Sequence, residues 1–191
     1  MTVYTFVLFL HLAGAMFLFM DFALEWVIQG RVRNSLTLEQ ARPWLAAGRR
    51  VPLIGAIGGI GVFIPGLYLA AHGALWNQAW IQAALTVALV IVVLGAAITR
   101  PRMRKLGLAA QDEVPGAAQG TGREESDALK HLRDPLIVFS LRIRVALAFG
   151  VVYLMAAKPG LIATLVTMGV ALVLGILISV PANSRGDVAA S

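Results

Sequence analysis

Apolar residues run along this chain in five long blocks, not at the spacing of a one-sided surface helix, and polar residues rarely interrupt them. Residues 2–20 carry no charge, and the helical pattern continues through Asp21 and Glu25 to about Gln29. Residues 51–71 and 76–99 are uncharged, residues 136–157 are broken only by Arg142 and Arg144, and residues 161–180 are clean. About 20 apolar residues cover the hydrocarbon core of a bilayer, so each block predicts a membrane-spanning element. Lipid offers no water to backbone N–H and C=O groups, which makes these elements helices and not open strands. Residues 145–157 alone are too short to cross, so the fourth helix must begin upstream and carry both arginines at membrane depth. The pattern predicts an all-α polytopic bundle of five transmembrane helices forming a single membrane domain over 1–191. The spans are 2–29, 51–72, 76–99, 136–157 and 161–180. The first block lacks a basic leader and is too long for the core of a cleaved signal peptide, so it reads as a retained helix.

Charge between the blocks orients them. The loop at 30–50 carries Arg31, Arg33, Arg42, Arg49 and Arg50 against Glu39 alone, and the loop at 100–134 carries seven Lys and Arg residues. The turn around 72–77 has no Lys or Arg, and the last turn has only Lys158. Excess positive charge stays in the cytoplasm, so loops 30–50 and 100–134 are expected there. The N-terminus is then outside and the C-terminus, with Arg185, inside. Tyr4, Tyr68, Trp76, Trp80 and Tyr153 would form an outer aromatic belt, with Trp26 at the inner interface.

Composition agrees with a bilayer as solvent: 59% of residues are hydrophobic and 14% charged, with a mean hydropathy of +0.80. No stretch of mixed composition is long enough for a second globular core. Cysteine is absent, which excludes disulfides, thiolate nucleophiles, iron–sulfur clusters and zinc–thiolate sites. The basic balance follows the membrane crossings and forms no nucleic-acid stripe or motif, so no nucleic-acid partner is expected.

The loops have some structure of their own. Thr37-Leu38-Glu39-Gln40 has capping-box form, and Trp44 and Leu45 give the following surface helix an apolar side. Residues 112–122 are rich in Gly, Ala and Pro, and residues 124–133 read as a short charged helix leading into Pro135. Leu67-Tyr68-Leu69-Ala70-Ala71 resembles Val152-Tyr153-Leu154-Met155-Ala156 at the same expected depth, as an old duplication or as coincidence between apolar segments.

Few side chains in the spans can carry chemistry. His11 lies roughly 13 Å below the outer surface at about 1.5 Å per residue. A polar group that deep faces the bundle or a wet cavity. It reads as a histidine hydrogen-bonded to a neighbouring helix, with Thr164 or Thr167 at similar depth, as a haem or metal ligand, or as a proton relay. His72 and His131 lie at the wrong levels to pair with it. Met168 lies at the right level, but a methionine in an apolar helix is usually core. Asp21 and Glu25 share a helix face one turn apart, and Arg142 and Arg144 reach comparable depth from the opposite direction. The four form an intramembrane charge cluster expected to tie the first helix to the fourth, or else to snorkel to the interface. Gly55, Gly58, Gly59 and Gly61 read as close-packing positions, and Pro65 as a bend. No Ser-His-Asp set, nucleotide loop or carboxylate metal cage is present.

Several segments resemble a known family. Leu10-His11-Leu12-Ala13-Gly14-Ala15 resembles the opening of a family of bacterial integral-membrane proteins of unassigned reaction. That family is similar in pattern to the copper-resistance-D-like and protoporphyrinogen-oxidase-J-like membrane proteins, in which first-helix histidines recur. Val51-Pro52-Leu53, Pro65-Gly66-Leu67, Trp80-Ile81 with the basic exit Arg100-Pro101-Arg102-Met103-Arg104-Lys105-Leu106, and Tyr153-Leu154-Met155 before Lys158-Pro159-Gly160 resemble its later helices. The resemblance implies a multi-pass protein of the bacterial cytoplasmic (inner) membrane, with haem b carried over only onto His11. Three functional expectations follow. The first is a non-catalytic partner subunit or assembly factor, in contact with lipid and with other membrane subunits or copies of itself. The second is a haem-b-binding, redox-linked protein using His11. The third is a small transporter using Asp21, Glu25, Arg142 and Arg144.

Overall fold

Thr2 starts the first helix, its hydroxyl accepting the Thr5 N–H at 3.3 Å, and α1 then runs over Val3–Arg33 without a break. At about 1.5 Å per residue, 31 residues give roughly 46 Å, longer than the hydrocarbon thickness. The computed structural model describes residues 2–99, 101 and 135–179. Among them every regular element is helical. The expected helix at 124–133, the segment 112–122, His131 and Arg185 lie outside the described residues.

The capping box closes nearly as its sequence implies. The Gln40 N–H reaches Thr37 Oγ1 at 3.3 Å, and Gln40 Oε1 accepts from the Leu36 N–H at 3.1 Å, which starts α2 at Leu38–Gly48. Its apolar side lies on the end of α1: Ala41 and Leu45 are buried with Ile28, Val32, Val51 and Ile137. Trp44 packs beside them beneath the Arg31 guanidinium, 5.3 Å from the ring centre. Two residues later α3 begins, Val51–His72, with Pro52 in its first turn and Pro65 inside it. Gly73 caps α3, and Ala74 takes a positive φ of 51° in the turn that follows.

The third spanning helix, α4, covers Ala79–Leu94, three residues later than the expected start at 76. It ends in a π-helical turn over Gly95–Thr99, a geometry the apolar pattern does not encode. Pro135 opens α5, Pro135–Ala157. Lys158, at φ 47°, and Pro159-Gly160 reverse the chain into α6, Leu161–Ser179.

Five of these helices are long and apolar enough to cross a membrane. They pack as two groups: α1 lies along α3, while α5 packs on α6 and α4. Contact between α1 and α5 joins the groups. The core falls in three layers. Next to α2 is the cluster around Ile28 and Leu45. In the middle are Phe22, Ile91, Leu141, Leu147 and Ala171. At the end bearing the α3–α4 turn are Ala70, Trp80, Ile81 and Leu154. Trp80 is therefore core, 6% exposed, and not part of an interfacial belt. Depth along a helix does not say which way a side chain faces. Large apolar side chains cover the outside, with Ile162 79% and Met16 74% exposed, a surface suited to lipid and not to water.

Candidate functional site

The α1–α3 crossing places His11. Gly14 and Gly61 meet backbone to backbone: a Cβ on Gly14 would lie 2.3 Å from the Gly61 carbonyl carbon. Gly58 sits one turn away against the backbone of Phe17 and Leu18. This approach brings the His11 ring over Gly66, where a Cβ would come within 3.1 Å of it. His11 Nδ1 lies 2.9 Å from the Val62 carbonyl oxygen. A carbonyl can only accept, so Nδ1 carries the proton, and in the neutral ring Nε2 keeps its lone pair. Pro65 contributes to the placement. It lacks the N–H that would continue the helical ladder and so loosens α3 at this level.

The histidine's expected neighbours lie elsewhere. Thr164 donates to the Pro159 carbonyl and Thr167 to the Ala163 carbonyl, both on or beside their own helix. Met168 packs its methyl group against Gly150, within the α5–α6 pair. His72 lies six residues beyond Gly66, about 9 Å along α3. It stacks on Tyr68, with ring centres 5.6 Å apart, beside Tyr4. Among the described residues no three His, Cys, Asp or Glu side chains gather closely enough to hold a metal ion.

A second site lies where α1 meets α5. Glu25 and Arg144 form an ion pair, the guanidinium Nη2 donating to Glu25 Oε2. Arg144 is 3% exposed, its guanidinium carbon 5.5 Å from the centre of the Phe22 ring. Its Nη1 lies against Gly95, where a Cβ would sit 3.3 Å away. The first residue of the π-helical turn thus makes room for the buried cation. Asp21, 5% exposed, lies one turn back on α1 and fills the space over Gly55, where a Cβ would meet Oδ2 at 2.7 Å.

Gln29 continues this line by one further turn. It is buried, and its Nε2 meets no acceptor among the described residues. Asp21, Glu25 and Gln29 therefore make a polar stripe at four-residue spacing, which faces α3 at one end and α5 in the middle. The sequence reading named the two acids but not Gln29, although the spacing signals it. Gly55 was expected to pack against a helix and not to face a charge, and Gly95 was not singled out; the missing side chains of both admit the charges.

Arg142 leaves the expected cluster. Its Nη1 donates to the Ile178 carbonyl at 2.6 Å, and its guanidinium lies 5.6 Å from the Trp26 ring centre. Two residues on a helix are about 200° apart, so Arg142 and Arg144 cannot both face the acids on α1. Arg142 instead holds the end of α6, where the last carbonyls lack helical partners and the helix dipole favours a cation. The chain matches no protein-family model, no curated protein and no solved structure.

Proposed function

We propose that this chain is a multi-pass bacterial inner-membrane protein without catalysis of its own, serving as a partner subunit or assembly factor of a larger membrane complex. The carrying observation is where its intramembrane polar groups go. His11 binds the Val62 carbonyl, Glu25 binds Arg144, and Arg142 binds the Ile178 carbonyl. Thr86, Thr167 and Ser179 bind carbonyls of their own helices. The first three tie helices together, the other three bond within their own helices, and the six do not converge on a space for a substrate. The broad apolar outer faces of α1 and α6 offer lipid or a neighbouring subunit a smooth surface. The family resemblance around His11 supports the bacterial setting. A transporter reading has weaker support, because Arg142 lies outside the acidic cluster and Arg144 is closed against Glu25.

One observation favours a second reading, haem b on His11. The Nδ1–H to carbonyl bond fixes the tautomer and orients the ring, and it leaves the Nε2 lone pair to ligate a metal, as metal-binding imidazoles require. The donor set fits one axial position only. A bound haem would supply electron-transfer chemistry, and the chain would contribute His11 and its Val62 anchor. Purification in mild detergent tests both readings. The first expects a complex of defined composition heavier than one chain, without a Soret band. A Soret band lost in His11→Ala would establish the second, and a colourless, monodisperse single chain would sink both.

The loop charges support an orientation with loops 30–50 and 100–134 in the cytoplasm and the N-terminus outside. Reporter fusions after Gly116 and Ser191 are expected to read cytoplasmic, and one after Ala74 external. A cytoplasmic signal at Ala74 would invert the topology.

A further inference from the structure

A membrane helix ordinarily turns its few polar side chains inward, to the bundle or a wet cavity. On α4 they face outward. With the π-helical turn that ends it, α4 makes an apolar span over Ala79–Ile98, 20 residues without a charge. At about 1.5 Å per residue this gives about 30 Å, the thickness of the hydrocarbon with nothing to spare. Apart from the Trp80 indole, its polar side chains are Gln82 and Thr86. Gln82 therefore lies about 5 Å and Thr86 about 10 Å in from the start of the span. Both are exposed, while Trp80, Ile81 and Ala84 enter the core. Leu89 and Val93, 58% and 53% exposed, extend the polar pair, because positions 82, 86, 89 and 93 fall within about 60° of one another around a helix.

Neither polar side chain has spent its hydrogen-bonding capacity. Gln82 Nε2 donates to the Trp76 carbonyl at 3.1 Å, and Thr86 Oγ1 donates to the Gln82 carbonyl at 2.8 Å. Among the described residues the Gln82 amide makes no other hydrogen bond, which leaves a second N–H and Oε1, and the Thr86 oxygen can still accept. Hydrocarbon offers no donor or acceptor, so leaving these groups against lipid is costly. We infer that this face of α4 is the contact surface for a second copy of the chain, packed about a twofold axis along the membrane normal, with the two Gln82 amides bonded to each other. The pairing deepens the partner-subunit reading and rests on it. The chemistry selects a second copy over an unlike partner. The bilayer holds two copies at one height, so their Gln82 side chains meet at the same depth. A primary amide carries donor and acceptor together, and across a twofold axis two of them satisfy each other through a reciprocal pair of N–H to Oε1 bonds. Leu89 and Val93 then pack against their counterparts without bringing like charges together.

The chain has no cysteine, so single introduced cysteines report contacts against a silent background. Leu89→Cys, Val93→Cys and, on α6, Ile162→Cys, where the native side chain is 79% exposed, are made separately in the full chain. Each is oxidised in vesicles of phosphatidylethanolamine and phosphatidylglycerol over a range of protein-to-lipid ratios. A disulfide needs close approach of the two backbones. Leu89→Cys or Val93→Cys is expected to give a linked dimer that persists as lipid is added, and Ile162→Cys only a collisional product that fades. Gln82→Leu in the linking background should weaken self-association about fivefold or more, because both amides are lost at once, and Thr86→Val should weaken it less. Both side chains are exposed, so melting of the single chain in detergent should stay close to that of the parent. Unchanged linking in Gln82→Leu would mean that the amide is solvated where it stands, and would overturn the pairing. Equal linking at all three positions would mean random collision and overturn it too, as would no linking at 89 and 93. Linking of α4 in native membranes to another protein alone would overturn the twofold while leaving the partner-subunit reading intact. Release of the chain from membranes by alkaline carbonate would instead sink the membrane reading.

Discussion

Gly14→Ala is expected to force α1 and α3 apart and to rank among the most costly additions of a single methyl group to this chain. The new Cβ would lie 2.3 Å from the Gly61 carbonyl carbon and 2.7 Å from both the Gly61 oxygen and the Val62 nitrogen. All three are backbone atoms in a helix, so none can rotate aside, and the helices must separate by more than 1 Å to restore ordinary contact at about 3.5–4 Å. Overpacking of this kind costs about 1–3 kcal/mol, occasionally more. Separation would also draw His11 from the Val62 carbonyl, adding about 1 kcal/mol for the lost hydrogen bond. Alanine's better helix propensity returns about 1 kcal/mol, which offsets the lost hydrogen bond and leaves a net loss of about 1–3 kcal/mol. Gly59→Ala isolates the propensity term, because a Cβ there meets nothing within 4 Å. It should melt at or above the wild-type temperature in detergent, and Gly14→Ala well below. Equal melting of the two variants would show that the close crossing does not hold the pair together.

The contrast between Gly59 and Gly14 marks what the sequence makes legible. Four glycines in the second block announce a close helix contact, but not which of them face it or which helix they meet. Gly58 and Gly61 turn to α1, and Gly59 turns outward. The number of long apolar helices was readable because bilayer thickness sets helix length, and α3, Val51–His72, coincides with its uncharged block, whereas α1 runs on to Arg33 and α4 begins only at Ala79. Azimuth was not readable from depth, which is why Trp80 is core and not belt. Arg142 and Arg144 show the same effect in a form simple geometry could have caught, since a spacing of two forbids a shared face. The partner of His11 is a backbone carbonyl, which no side-chain pattern marks; Pro65, three residues on, is its only trace. The π-helical turn that admits Arg144 has only Gly95 as a signal, one glycine among 19.

The second large effect is expected at the buried ion pair, where removing one partner should cost more than its share of removing both. Arg144→Leu leaves the Glu25 carboxylate facing Phe22 and the apolar middle layer, with Asp21 one turn away on the same face. Glu25→Leu leaves a guanidinium 3% exposed between Phe22 and Gly95. An uncompensated buried charge costs about 3–5 kcal/mol, whereas exchanging the whole pair for apolar side chains of similar volume is often close to neutral. The double variant Glu25→Leu/Arg144→Leu should therefore be more stable than either single variant, with a coupling energy of about 2 kcal/mol or more in a double-mutant cycle. Arg142→Leu supplies the comparison. It reaches Ile178 and Trp26, not the acids, so its loss should add to that of Glu25→Leu within about 0.5 kcal/mol. Thermal unfolding of these four variants and of the double variant Glu25→Leu/Arg142→Leu in one detergent reads every term. Additive losses for Glu25 and Arg144 would mean that each charge is satisfied independently, by water or headgroups. The α1–α5 contact would then owe its position to the apolar layer around Phe22 and Leu141 alone.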